Sequence, residues 1–227
     1  TGEASHSGRI LRGRVAAPGF AAGRIVRLAS AGGRRAARVA GTAAEEAAAL
    51  KAALEAASAD LAHLIGSLAD AEAAAMLEFQ LAMLEDDELT GPAFAAIADG
   101  VSAEAAFAAR LEEEIAGYRA SDDAYFFARG SDLEDLEARV LAHLAGEAGS
   151  AATIPHDAIL IGRDLPPSRF LEIDWRPGQG IVLAEGSLTS HVAILARARG
   201  IPMLVGVPDT EVAEGTAALL DAEVGAL

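Results

Sequence analysis

The chain has no cysteine, one lysine (Lys51), and aromatic residues at only 4% of its 227 positions. Without cysteine there can be no disulfide, thiolate nucleophile, iron–sulfur cluster or cysteine-ligated zinc, so only His, Asp and Glu could hold a metal. No window approaches the roughly 20 uninterrupted apolar residues of a membrane span. The opening Thr1-Gly2-Glu3-Ala4-Ser5-His6-Ser7-Gly8 lacks the basic and apolar regions of a secretory signal. These absences set the expectation of a soluble, cytoplasmic protein with no membrane partner. Positive charge is also scarce, with 18 basic against 34 acidic residues and a net charge of −16. Phosphate backbones demand Lys and Arg, so this balance argues against nucleic acid and favours a basic protein partner. Apolar residues are plentiful at 52%, enough for one large domain or two small ones.

The negative surplus is confined to the middle of the chain. Residues 41–145 hold 22 acidic and 5 basic side chains, a net of −17, whereas the two flanks together hold 12 and 13, a net of +1. The middle is rich in Ala, Leu and Glu, which favour helices, while the flanks hold most of the Gly, Pro and short β-branched runs. Thr42-Ala43-Ala44-Glu45 has capping-box spacing and predicts a long helix whose stripe is Leu50, Leu54, Ala57, Leu61, Leu64, Ile65 and Leu68. Asp70 is placed as the cap of a second segment with Met76, Leu77, Leu81 and Leu84 on its apolar side, ending in the acidic run Glu85-Asp86-Asp87-Glu88. Gly91-Pro92 is expected to interrupt or restart the helix there. Ser102 with Glu104 opens a helix through Leu111 and Ile115 to about Tyr125, and Ser131 with Asp132 and Glu134 opens a last one through Leu133, Leu136, Val140 and Leu144. Four helices or a little more form a bundle.

The flanks predict strands at Arg9–Val15, Gly23–Leu28, Ala158–Ile161, Gly180–Leu183 and Pro202–Gly206. A helix over Ser190–Arg199, closed by Gly200, joins the last two as a strand–helix–strand unit. The expected fold is of mixed α+β and α/β class. An α/β subdomain is built from residues 1–40 and 149–227, and an all-α bundle over 41–148 is inserted into it.

One segment concentrates chemistry. After the Gly180–Leu183 run, Gly186 turns the chain and Thr189-Ser190-His191 begins a helix. Such a junction offers unpaired N–H groups, the positive end of a helix dipole and two hydroxyls, all suited to an anion. Neutral imidazole is a competent nucleophile toward phosphorus, and its pKa leaves a neutral fraction at cellular pH. A histidine at a helix start can also be a plain cap or surface residue, and spacing alone does not choose. Arg197, about one and a half turns on, could serve an incoming donor or pair with a carboxylate. His63 and His143 fall within helical periods, His6 in a tail and His156 after Pro155. None has metal-ligand spacing with another His, so no metal site is expected. The run Glu85–Glu88 lacks the alternating ligands and central Gly of a calcium loop, leaving a solvated face or a docking surface.

Thr189-Ser190-His191-Val192-Ala193-Ile194-Leu195-Ala196-Arg197, continuing through Gly200-Ile201-Pro202 to Val205-Gly206, resembles the phosphohistidine signature of the phosphoenolpyruvate-utilising enzymes. Pro18-Gly19-Phe20-Ala21-Ala22-Gly23, the stretch Glu78 to Leu89 and Asp164-Leu165-Pro166-Pro167-Ser168 are similar to segments of enzyme I of the sugar phosphotransferase system. The resemblance implies that His191 takes a phosphoryl group from phosphoenolpyruvate on Nε2 and passes it to the carrier protein HPr. It also implies that Thr189 and Ser190 assist and that the helical insertion docks HPr. The implied docking residues are Glu72, Glu78, Met83, Leu84, Glu85, Asp86, Asp87, Glu88, Leu89 and Arg129, with Arg197 a further contact. Met83, Leu84 and Leu89 would form the apolar centre of that contact and the carboxylates its rim.

The departures are specific. Glu185 stands where the family has the first of two glycines, Pro166 where it has threonine, and Glu134 where it has arginine. The family's large phosphoenolpyruvate- and magnesium-binding barrel is not found in the 227 residues, so no cofactor and no direct use of phosphoenolpyruvate are expected of this chain alone, and a monomer is expected. Within the resemblance, the chain could instead come from a fused multiphosphoryl protein or a dihydroxyacetone-kinase phosphodonor. Outside it, a transfer-inactive HPr-docking module would share the same surface.

Overall fold

A computed structural model describes residues 9–28, 40–68, 71–120, 124–146, 154–208 and 211–227, apart from the side chains of 72 and 124–128. The chain divides into two compact units, Thr1–Ser30 with Ala152–Leu227 and Ala31–Ala151.

The first unit is a six-stranded mixed sheet. Its strands are β1 (Arg14–Ala17), β2 (Phe20–Arg27), β3 (Ala158–Gly162), β4 (Gly180–Leu183), β5 (Met203–Val205) and β6 (Ala217–Asp221), in the order β1-β5-β4-β3-β2-β6. The central four run parallel, and β1 and β6 pair antiparallel with β5 and β2. Leu11 and Leu227 exchange N–H···O bonds of 2.8 and 3.0 Å, so the segment before β1 meets the residues after β6 and the sheet curls. Its inner face is apolar, with Ile25, Ile159, Val182, Leu204 and Leu220 buried together. The short helices α6 (Pro167–Glu172) and α7 (His191–Arg199) complete the unit. At Gly23 a β-carbon would overlap the Asp157 carbonyl, which accepts the Arg24 N–H at 2.7 Å, so only glycine lets β2 lie this close to the start of β3.

The second unit holds α1 (Ala43–Ser67), α2 (Ala71–Leu84), α3 (Asp87–Ala98), α4 (Ala103–Arg119) and α5 (Ala124–Leu144). The predicted capping box at Thr42 and Glu45 is present. Glu45 accepts the Thr42 N–H at 2.7 Å, which holds its carboxyl below the ordinary carboxylate range. Beside it Glu46 is buried, and its carboxylate accepts N–H groups from Gly41 at 2.8 Å and Ala103 at 2.7 Å, tying the start of α1 to the start of α4. The core is built from Leu50, Leu61, Leu77, Ile97, Phe107, Leu111, Leu133 and Leu136. Among the described residues no helix is long and apolar enough to cross a membrane.

Several local expectations are corrected. Gly91-Pro92 does not break the chain, because α3 runs through it. The carbonyl of Glu88, which Pro92 cannot engage for want of an N–H, accepts the Arg110 guanidinium at 3.3 Å. The break falls one turn earlier, where Asp86 caps α3 by accepting the Glu88 N–H at 2.8 Å. Ser131 is not a helix start: α5 begins at Ala124 and includes Tyr125, while α4 ends at Arg119. Gly130 lies inside α5, buried and near Tyr118 and Arg119 of α4, so the residue before Ser131 is already helical. On α2 the buried stripe is Ala73, Leu77, Gln80 and Leu84, with Met76 and Leu81 only half-buried. β1 starts at Arg14, not Arg9, β2 already at Phe20, and β6 and α6 were not anticipated. Asp70 and His6 lie outside the described residues.

Candidate functional site

In the sheet unit, β4 ends at Leu183 and a loop over 184–190 leads into α7. Gly186 turns it with φ of +104°, a conformation that favours glycine. Ser190 is the N-cap of α7, accepting the Ala193 N–H at 3.3 Å while its own hydroxyl donates to the Ser187 carbonyl at 3.0 Å. The Ser187 and Thr189 hydroxyls lie 3.3 Å apart. His191 is the first residue of α7 and exposed, and Thr189 beside it is exposed too. As at any helix start, the first N–H groups have no intrahelical partner, and those of His191 and Val192 find no acceptor among the described residues. A nucleophilic nitrogen, an exposed hydroxyl and unpaired N–H donors at the positive end of a helix can receive a tetrahedral oxyanion.

The far end of the helix is equally well defined. Gly200 adopts φ of +65°, and its N–H and that of Ile201 close the last turn. One nitrogen of Arg197 donates to the Leu188 carbonyl at 3.0 Å and to the Ala16 carbonyl at 2.6 Å. Arg14 reaches the same loop, donating to the Gly186 carbonyl at 3.3 Å.

Glu185, which departs from the family pattern, does not leave a free negative charge in this loop. Its carboxylate accepts from Arg163 at 2.7 Å. Neighbouring Asp164 is exposed, yet partial desolvation raises its carboxyl above the ordinary range, opposed by the Leu165 N–H and reinforced by Glu185. Pro166 is the N-cap of α6 and supplies no side-chain hydrogen bond.

The remaining predicted residues lie in the helical unit. Glu85, Asp86, Asp87 and Glu88 are exposed at the α2–α3 junction, with Glu78 exposed and Met83 half-buried on α2. Asp86, Asp87 and Glu88 also start α3, where negative charge offsets the helix dipole. Leu84 and Leu89 are corrected: at 4% and 6% exposure they belong to the bundle core and offer a partner no surface. The Arg129 guanidinium of α5 lies 3.6 Å over the Phe79 ring of α2 and 3.6 Å from Asp132. Glu72 lies on α2, its side chain outside the described residues. Among the described residues no group of three or more His, Asp and Glu side chains is arranged to hold a metal. Sequence reasoning missed Arg14, Arg163 and Ser187, which act through carbonyls or a pairing visible only once β1, β3 and the loop are assembled.

Comparison with known proteins adds the following. Residues 12–129 match the family "PEP-utilising enzyme, N-terminal" and residues 154–225 match "PEP-utilising enzyme, mobile domain". The chain is 38% identical over 178 residues to the phosphoenolpyruvate-protein phosphotransferase of Streptomyces coelicolor, a match covering 76% of this chain and 31% of that protein. It is 33% identical over 166 residues to a multiphosphoryl transfer protein of Escherichia coli, covering 70% of this chain and 20% of that one. It thus spans less than a third of the length of these curated relatives. An NMR structure of Enzyme I superposes with a TM-score of 0.72 at 24% identity, over 96% of this chain and 92% of that one, a likeness of fold. The N-terminal domain of a nitrogen Enzyme 1 superposes with 0.62 at 27% identity, over 96% and 93%.

Proposed function

The chain belongs to the phosphoenolpyruvate-utilising enzymes, and on that premise we propose that His191 is the transient carrier of a phosphoryl group passed between phosphoenolpyruvate and an HPr-like protein. The observation that carries this reading is the placement of His191 as the exposed first residue of α7, beside Thr189 and the unpaired N–H groups. In exchange with a phosphorylated carrier, the lone pair of the His191 Nε2 forms the new N–P bond. The carrier's N–P bond breaks in line, and its imidazole leaves with the electron pair. Catalysis of such a step is mostly alignment and charge stabilisation, which the N–H groups, the Thr189 hydroxyl and the helix dipole supply. Ser190 acts structurally, as the cap.

The helical unit docks the carrier. Glu78, Glu85, Asp86, Asp87 and Glu88 present the acidic rim, Met83 the apolar centre and Arg129 a flanking cation, with Glu72 on the same helix. A partner with basic residues around its own histidine matches that surface. The same reading places the protein in the cytoplasm, feeding sugar uptake, and assigns the phosphoenolpyruvate and magnesium site to parts of the relatives that this chain does not match.

The test is to mix the protein with phosphorylated HPr and follow the mass gain of one phosphoryl group and the phosphohistidine signal by phosphorus NMR. Wild type is expected to take the label, and His191→Ala to bind HPr without taking it. Added salt is expected to slow transfer by weakening docking. Tight binding with no label on wild type would leave a docking module and sink the transfer.

A further inference from the structure

We infer that Arg197 is a positioning residue that shapes the anion-receiving loop by bridging it to a bulge in β1, rather than by touching the phosphoryl group. The inference rests on the reading of His191 as phosphoryl acceptor and deepens it.

Three observations meet here. The β1–β5 register shifts between Val15 and Ala17, so Ala16 is the extra residue of a bulge. Ala16 is also buried, and a bulge leaves its backbone groups outside the regular ladder, where an unbonded carbonyl would be costly. The Arg197 guanidinium meets this carbonyl at 2.6 Å, 181 residues away in sequence, and the same nitrogen holds the Leu188 carbonyl at 3.0 Å.

The loop carbonyls are accounted for one after another. Gly186 O accepts from Arg14, Ser187 O from the Ser190 N–H and hydroxyl, and Leu188 O from Arg197. A carbonyl engaged by Arg14 or Arg197 is tied to β1 and is not free to face a group on His191. Each peptide that turns its oxygen away turns its N–H the opposite way, so the two arginines aim the loop's donors toward a phosphoryl group on His191. Without the Arg197 bridge the Leu188–Thr189 peptide is free to rotate, and its oxygen can face the incoming anion. The bridge also carries a cation close behind the loop, which adds to the attraction. β1 therefore contributes to the site although none of its side chains is near the chemistry by sequence.

The experiment labels wild type, R197A, R197K and the control R199Q with phosphoramidate, a small donor that needs no docking. His191 forms the N–P bond, the donor's P–N bond breaks, and ammonia leaves. R197A is expected to label on the order of 10- to 100-fold more slowly, the scale at which misplacement by about an ångström acts. R197K should fall in between and R199Q should match wild type. Guanidinium ion added to R197A should restore part of the rate, and none in H191A. Amide hydrogen exchange at Ser190 and Ala193, whose N–H groups are bonded within the loop and its cap, should quicken in R197A. Labelling of R197A at the wild-type rate, or slow labelling with loop exchange unchanged, overturns the inference. If R197A fails to fold, R197K carries the same two readouts. If wild type itself takes no label from either phosphoramidate or phospho-HPr, the phosphohistidine reading fails. The loop-exchange comparison then still decides whether Arg197 orders the loop.

Discussion

The cations of the two units are used differently. In the sheet unit Arg12, Arg14, Arg24, Arg27 and Arg197 donate to backbone carbonyls, while Arg163, Arg169 and Arg176 meet carboxylates. In the helical unit Lys51, Arg110, Arg119, Arg129 and Arg139 each meet a carboxylate. Helices satisfy their own interior backbone, so their cations are left for side chains. A small curled sheet with a bulge and long loops leaves carbonyls that need donors from elsewhere. Because acids greatly outnumber bases in residues 41–145, pairing every cation there still leaves a large negative surface. The sheet unit thus uses five arginines to hold its backbone, and the helical unit is left with a negative surplus.

Separate cores provide the strongest way to break this comparison. Leu111→Ala in the helical unit is expected to cost about 2–5 kcal/mol. Gly23→Ala in the sheet unit, where the new methyl has no room, is expected to cost about 3 kcal/mol. Calorimetry with far-ultraviolet circular dichroism should show each substitution lowering a different transition. A single transition lowered alike by both would end the view of two independent cores.

A smaller effect tests the cation of the helical unit that serves both kinds of partner. Arg110 pairs with Glu113 and Glu114, yet also holds the Glu88 carbonyl that Pro92 leaves open. Pro92→Ala supplies the missing N–H. Arg110→Ala should therefore be milder in the Pro92→Ala background than in wild type, with a coupling of about 1 kcal/mol in a double-mutant cycle read by urea unfolding. Simple additivity would show that the guanidinium does not serve the turn at Pro92.

The smallest expected effect is one of sign. Glu45 is held below its ordinary value of 4.5 by the Thr42 N–H and hydroxyl. Its contribution is present above that value and is lost as pH falls through its lowered folded value. Asp164 is raised above its ordinary 3.8, chiefly by desolvation. The folded sheet unit therefore binds the extra proton, and stability from this group is present below 3.8 and declines as pH rises through the raised value. Glu45→Gln should flatten the acid limb of helical-unit stability, and Asp164→Asn should remove a decline of opposite slope in the sheet unit. Matching slopes in pH-dependent urea midpoints would refute the contrast.

Legibility followed the range of the interactions. Thr42 with Glu45 and Ser190 with Gly200 were readable because a cap and its partners lie within a few residues. The parallel strands at Ala158–Gly162 and Gly180–Leu183 were readable because both faces are buried and the run is uniformly apolar. β6 was not, since its exposed Ala217 and Leu219 alternate with more buried neighbours in a stretch too short to stand out. Ser131 and Pro92 misled, because a cap or break residue is indistinguishable locally from one accommodated inside a helix. Of the candidate site, His191, Thr189 and Ser190 were legible as a strand–turn–helix junction. Arg14, Arg163 and the bridging by Arg197 were not.

By itself the sequence determined the helix caps at Thr42, Ser102 and Ser190, which stretches are apolar enough to be buried, how the charge divides along the chain, and which histidine heads a helix. All of these depend on neighbours within about one or two turns of a helix or the length of a strand. Only the tertiary structure decided that Gly23 lies against Asp157, that Arg14 and Arg197 turn the loop carbonyls, and that Leu84 and Leu89 are core. Those outcomes depend on strand register, on the bulge at Ala16 and on how helices pack, which are set by contacts between residues far apart in the chain, such as Ala16 and Arg197, 181 positions apart.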